Sequence, residues 1–405
     1  MYPTLFRIPF LPEAWADIKS YGFMMMVAFL GGIWLAARRA TRVKADPDVV
    51  LNMGFIALIA GVVGARLFFV IHYWDTRFAN RPNPLLAVFD VRGGGLEFWG
   101  GPLLVIPALI IYLLWSKQSI RWYLDITAPS LMFGMAMARI GCLLNGCCWG
   151  SVCVNEHDPA RQEKGLPWAI RYPYGSPAMI QQFEFGQIEL PKQLLFYLPT
   201  GMAMPMLAEQ VEATREQLDG PARDLRRAQE DLAAAERSGQ DASRIERLKA
   251  RVETLTQAAK ANDERYQLLY KQCRQYGLSP SELRDLSRHF RSRPAHPTQV
   301  YAAITGLVLY WLLDTLFYYR KRHGVVLGWM LILYSMARML EEAIRQDNPL
   351  DAVGLSWSSM VSVAMIVSGL LWLALMRAQP LKSPRAVRFE LPEDTQSPAA
   401  AGHGG

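Results

Sequence analysis

Residues 355–376 read LSWSSMVSVAMIVSGLLWLALM, a run without a single charge. As a helix rising about 1.5 Å per residue, a stretch of this length crosses the hydrocarbon core of a bilayer. Working back from it, further apolar runs occupy 21–37, 50–73, 98–115, 122–145, 297–318 and 324–344. The fourth is interrupted by Asp125, Pro129 and Arg139. Residues 194–207 are too few to span and read as an interfacial or re-entrant segment. The fold expected is an all-α polytopic membrane protein, seven transmembrane helices with a soluble coiled-coil hairpin insert.

The whole-chain figures agree. With 405 residues, 51% hydrophobic and 20% charged, the chain carries too much apolar surface for a disordered or collagen-like protein. Its net charge of +7 does not indicate nucleic acid, because no basic stripe interleaved with aromatics is present. In a membrane protein, basic residues gather instead in cytoplasmic loops. Arg38, Arg39, Arg42, Lys117, Arg121, Arg320 and Arg377 fall on the richer side of the spans, which is therefore read as cytoplasmic. That orientation places the N-terminus in the periplasm, with the long segment between the fourth and fifth spans, and the C-terminus in the cytoplasm. Met1–Ser20 shows no removable signal peptide, so the first span is expected to direct insertion.

Four regions follow: 1–205, the first four spans and a periplasmic loop; 206–291, the insert; 292–377, the last three spans; and 378–405, a polar, disordered cytoplasmic tail. In the insert, Ile245, Leu248, Val252, Leu255, Ala259, Asn262, Tyr266 and Leu269 recur at alternating steps of three and four, the seam of a coiled coil. A second seam runs through Leu218, Leu225, Ala228, Leu232 and Ala235, and Ser238-Gly239-Gln240-Asp241 signals the turn between them. Ser279-Pro280-Ser281-Glu282 reads as a capping box opening a third helix. Such a hairpin is either an arm that docks an envelope protein or an insertion without chemistry.

Charges within spans cost roughly 2.5–3.5 kcal/mol each on insertion scales and need a reason. Arg66, Arg139, Arg338, Glu341, Glu342 and Arg345 are such charges, and Arg338 and Glu342 share a helix face. Guanidinium groups facing one cavity repel unless an anion lies between them. Phosphate matches their fork, and in a bilayer its abundant bearer is a phospholipid. Gly93–Pro102, which contains Gly100 and Gly101, and the Gly146–Gly150 segment permit backbone turns whose amides can face an anion. His296 and His72 titrate near neutral pH and can accept a proton. Cys142, Cys147, Cys148 and Cys153 are compatible with a disulfide or buried thiols; a thiolate metal site is a lesser alternative, since no CxxC spacing exists, and no metal ligand is assigned.

Taken in order, these residues resemble the prolipoprotein diacylglyceryl transferases of bacterial inner membranes. The resemblance rests on Tyr21-Gly22, on Arg139-Ile140-Gly141 with Asn145-Gly146 and Trp149-Gly150, on His296-Pro297-Thr298-Gln299 with Tyr301, and on Arg338 with Glu342 and Arg345. It covers about 1–200 and 291–377 and leaves out the insert. It implies transfer of diacylglyceryl from phosphatidylglycerol to the lipobox cysteine of a prolipoprotein, without a cofactor. Arg139 and Arg338 would then stabilise the departing phosphate, assisted by Arg66. Tyr21, Asn145 and Gln299 would hydrogen-bond the head group or backbone, and Gly100, Gly101, Gly146, Tyr301 and Arg345 would complete the lipid site. Two departures stand out: Trp99 where many members resemble Phe-His-Gly-Gly, and Cys147 where they carry glutamate. A branch of the family has an aromatic and a Gly-Cys-Cys pattern at these places. His296 or Glu342 is then left to activate the thiol, unless the substrate cysteine arrives already ionised.

Two other classes compete with this reading. An inactive membrane scaffold binding envelope proteins through the coiled coil would tolerate Arg139→Ala. A membrane thiol-redox or metal protein built on Cys142–Cys153 would fail on Cys147→Ser.

Overall fold

The structure is a computed structural model that describes residues 4–7, 17–79, 84–89, 95–153, 166–198, 201–238, 241–345 and 356–383. Gly93 and Gly94, the Gly239-Gln240 turn and the tail from residue 384 lie outside the described residues. Its principal helices are α1 (Ser20–Arg42), α2 (Pro47–His72), α3 (Gly100–Trp115), α4 (Ile120–Asn145), α5 (Pro177–Glu184), α6 (Arg215–Arg237), α7 (Ala242–Tyr276), α8 (Pro280–His289), α9 (Thr298–Tyr319), α10 (Val325–Glu342) and α11 (Trp357–Arg377). Two antiparallel strand pairs accompany them: β1 (Thr4–Arg7) with β2 (Asp17–Lys19), and β3 (Leu195–Tyr197) with β4 (Ala203–Pro205). The chain divides into two compact units, one of Gly146–Pro297 and one of Tyr2–Asn145 with Thr298–Gly405.

The second unit is a helical bundle. Its helices α1, α2, α4, α9 and α11 are each long and apolar enough to cross a membrane. Apolar α3 has 16 residues, and α10 has 18 with Arg338, Glu341 and Glu342 among them. Large apolar side chains such as Phe55, Ile59, Ile71, Trp311 and Leu371 face outward, as lipid-facing residues do. The interior is closed by Leu113, Ile126, Leu313, Phe317 and Val326, all but fully buried. Local chemistry sets the ends: Asp46 caps α2 ahead of Pro47, and Ser356 caps α11. Glycines permit the closest crossing. A Cβ on Gly100 of α3 would stand 2.1 Å from the Gly64 carbonyl oxygen of α2, so the two backbones touch there.

One end of this bundle is held by buried charges. The Arg39 guanidinium pairs with Asp314 at 2.5 Å and donates to the Ile126 carbonyl and the Ser130 hydroxyl, joining α1, α4 and α9. Asp125, fully buried on α4, pairs with Arg320 at 2.8 Å. Such charges are retained inside a bundle only when paired and hydrogen-bonded.

The first unit has its own core around Tyr174, Met179, Leu194, Met206, Leu269 and Leu283. Residues 194–207, expected as an interfacial or re-entrant segment, instead carry the β3–β4 pair, and Leu194 and Met206 go into that core. Their apolar character serves packing. Within the unit α6 and α7 lie antiparallel: Lys249 pairs with Glu236 at 3.3 Å, and the Asn262 amide donates to the Leu218 carbonyl. The seam positions of α7 from Ile245 to Leu269 are its sheltered ones, with mostly exposed neighbours between them. Thr214 and Ser279 each close a capping box, at α6 and α8, and Gly277 ends α7 in the left-handed region at φ 65°.

Candidate active site

Three helices of the bundle converge on one narrow cleft. Met135 and Arg139 reach it from α4, Ala302, Thr305, Gly306 and Leu309 from α9, and Tyr334, Ala337, Arg338 and Glu341 from α10. Each set recurs at three- and four-residue steps and so occupies one helix face. Gly306 explains the convergence: a Cβ there would stand 3.0 Å from Ala136 Cβ and 3.1 Å from the Met132 carbonyl oxygen. With α9 and α4 in backbone contact at this level, Arg139 lies less than one turn further along α4. The enclosed volume is about 10 Å³, room for roughly one water.

The charges are organised around Arg338. Its guanidinium pairs with Glu342 at 2.9 Å, and the Ser356 hydroxyl donates to the other Glu342 oxygen at 2.8 Å. Glu341 lies in the opposing fields of Arg139, Arg338 and Arg345. Mutual repulsion calls for an anion only where arginines are unbalanced, and here the structure corrects that expectation. Glu341 and Glu342 already stand among the three guanidiniums of Arg139, Arg338 and Arg345. The arginines are therefore not stranded without an anion.

Arg66, expected to assist at the phosphate, is occupied elsewhere. Its guanidinium donates to the carbonyls of Ala87, Val88 and Gly95 at 2.7–2.9 Å and is flanked by the rings of Phe69 and Phe78. These bonds fasten the connection between α2 and α3, a structural task. Gly100 is likewise accounted for by its contact with Gly64, and Gly101 lies beside Gly61. Tyr21 stands at the start of α1 against Gly141, two residues beyond Arg139; a Cβ on that glycine would approach Tyr21 Cδ2 to 3.3 Å. Asn145 ends α4 exposed, Gln299 is fully buried in the first turn of α9, Tyr301 is half-buried and so is Arg345.

Gly146 and His296 belong to the Gly146–Pro297 unit. There His296 is held by its main chain, donating to the Ser151 carbonyl and accepting from the Gly150 amide. Partial burial lowers the pKa of its ring, which favours the neutral, proton-accepting form. Among the described residues no two cysteines are joined in a disulfide. Burial pushes the Cys153 thiol up to about 11, so it is a poor source of thiolate at neutral pH. Trp99 meets Trp357 edge-on at 6.4 Å, beside the Ser356 that holds Glu342.

Glu341, Tyr334, Thr305 and Ser356 are not among the site residues expected from the sequence. A signal for the first two is present, since Tyr334, Arg338 and Glu341 share one face of α10. Thr305 and Ser356 carry no such signal.

Partly buried arginines and carboxylates meeting at one cleft within a bundle of long apolar helices fit an integral membrane protein. More particularly, the chain belongs to the prolipoprotein diacylglyceryl transferase family, whose sequence profile matches residues 4–375. Relatives named phosphatidylglycerol–prolipoprotein diacylglyceryl transferase include one from Rhodopirellula baltica, 32% identical over 174 residues, which covers 42% of this chain and 33% of the relative. One from Vibrio cholerae is 32% identical over 198 residues, covering 48% and 66%, and one from Photobacterium profundum is 34% identical over 162 residues, covering 40% and 56%. Each match spans less than two thirds of the relative's own length.

Proposed function

We propose that this protein transfers the diacylglyceryl group of phosphatidylglycerol to the lipobox cysteine of a prolipoprotein in the bacterial inner membrane. The observation that carries the reading is the meeting of Arg139 and Arg338, far apart in the chain, at one cleft between α4, α9 and α10. In the reaction the substrate sulfur forms a bond to the glyceryl carbon as the carbon–oxygen bond to phosphate breaks. Glycerol phosphate departs with the electron pair, and the thiol proton passes to a base. Arg139 and Arg338 offset the charge that develops on the leaving oxygen, the step at which preorganised donors contribute most. Glu342 orients Arg338. No cofactor takes part.

Seven spans complete the topology, α3 and α10 crossing with the five longer helices. The N-terminus and the α6–α7 coiled coil lie in the periplasm and the C-terminus in the cytoplasm. The raised pKa of Cys153 weighs against a thiol-redox role for that residue. The test is incubation of the purified chain with phosphatidylglycerol and a lipobox-type cysteine peptide, read by mass spectrometry. Product from the parent protein and none from Arg139→Ala or Arg338→Ala is expected. Full activity in both variants would refute the assignment.

A further inference from the structure

Asp125 does more than balance a charge. Fully buried on α4, it accepts from the Gly324 amide at 2.7 Å through one oxygen and from the Leu327 amide at 3.1 Å through the other. Those amides are at the start of α10, so the carboxylate of one helix caps the N-terminus of another. Arg320, just past the end of α9, pairs with the same carboxylate. Gly324 is held from a further direction. Its carbonyl accepts from the Trp372 indole of α11 at 2.7 Å, and a Cβ on it would meet Met376 Sδ at 2.6 Å.

The interval from Asp125 to Arg139 along α4 equals that from Gly324 to Arg338 along α10, fourteen residues in each case. At 1.5 Å per residue each helix rises about 21 Å over that interval. Asp125, five residues into α4, meets Gly324 at the start of α10, so locking these two points together sets the two arginines level at the cleft. A slip of α10 along α4 would move Arg338 past Arg139 by the same distance.

We infer that Asp125 is a positioning residue, a clamp that fixes the register of α4 against α10 and thereby the spacing of the Arg139 and Arg338 guanidiniums. For its activity readout this rests on the transferase reading, and its geometric readout does not. Asp125 itself touches neither substrate nor reacting atoms.

The experiment uses the full chain in detergent with Met135→Cys and Ala337→Cys introduced together, since both positions line the cleft. Oxidative cross-linking mapped by mass spectrometry reports the register, and transfer kinetics are measured alongside without the cysteine pair. Asp125→Ala is expected to abolish the 135–337 cross-link and to lower kcat about 100-fold, the scale of a misplacement near 1 Å, with KM little changed. Asp125→Asn, which keeps an acceptor oxygen for Gly324, should recover much of both. If Asp125→Ala does not purify folded, Asp125→Asn against Arg320→Ala supplies the comparison, with register lost further in the variant that weakens the cap. An unchanged cross-link in the variant lacking the cap overturns the clamp whatever the activity. Loss of the cross-link in Asp125→Ala, with a parent protein that cross-links but performs no transfer, refutes the proposed function and leaves the clamp standing.

Discussion

The crossing of α2 and α3 makes a prediction with an internal control. In Gly100→Ala the new methyl would lie 2.1 Å from the Gly64 carbonyl oxygen, whereas ordinary contact begins near 3.4 Å. The helices must therefore separate by about 1.3 Å, and overpacking of this kind costs about 1–3 kcal/mol. Alanine's better helix propensity works the other way by up to about 1 kcal/mol, so a net loss isolates the steric effect. Gly64→Ala meets the Gly100 oxygen at 2.3 Å and should cost a similar amount. Once the helices are apart, the second methyl occupies space already opened, so the double variant should fall short of additivity by about 1 kcal/mol. Gly101→Ala places its methyl 3.6 Å from the Gly61 oxygen, an ordinary contact, and should be neutral or slightly stabilising. The assay is the unfolding midpoint in mixed detergent for the four variants. A Gly100→Ala protein within about 0.5 kcal/mol of the parent would refute the argument that these backbones touch.

Three further outcomes are expected. Arg338→Lys should not restore what Arg338→Ala loses, because a lysine cannot hold Glu342 and a phosphate through one planar fork, and initial rates at saturating lipid will show it. Arg39→Met leaves Asp314 without its partner inside the bundle and should destabilise by about 3 kcal/mol, with Asp314→Asn in the same chain recovering part of the unfolding midpoint. His323, stacked on Trp122 between α9 and α10, has its pKa pulled down to about 4 by burial and by the nearby Arg320, Arg121 and Lys382. Its folded value lies below the unfolded one, so stability is intact above about pH 6.5 and declines as pH falls toward 4. The thermal midpoint should drop between pH 7 and pH 5, and His323→Gln should flatten that dependence.

Much of this was legible in the residues. The charge-free run at 355–376 marks α11 within a residue or two, and the capping box at Ser279 marks the start of α8, because both signals are local. The seam from Ile245 to Leu269 likewise names the sheltered face of α7. Arg139 and Arg338 could be singled out by the cost of burying them, although their meeting depends on Gly306, whose contact with Ala136 leaves no trace in either segment alone. Arg66 shows the limit of that reasoning. The same cost flagged it, yet its partners are main-chain carbonyls, and carbonyls are present at every position and distinguish none. Residues 194–207 misled for a related reason: apolar composition does not say whether a segment faces lipid or a protein core.

The buried pairs have a consequence in time. Arg39 and Asp125 belong to the part of the chain made first, while Asp314, Arg320, Gly324 and Leu327 come after the whole of Gly146–Pro297 has been synthesised. At roughly 5–20 residues per second, the wait is on the order of tens of seconds. Throughout it, a half-made bundle carries an arginine and an aspartate whose native ion-pair partners do not yet exist. Nascent chains of this protein therefore pass through a long window of vulnerability to membrane proteases. A premature stop anywhere before α9 strands both charges for good, which makes truncated products self-marking for removal.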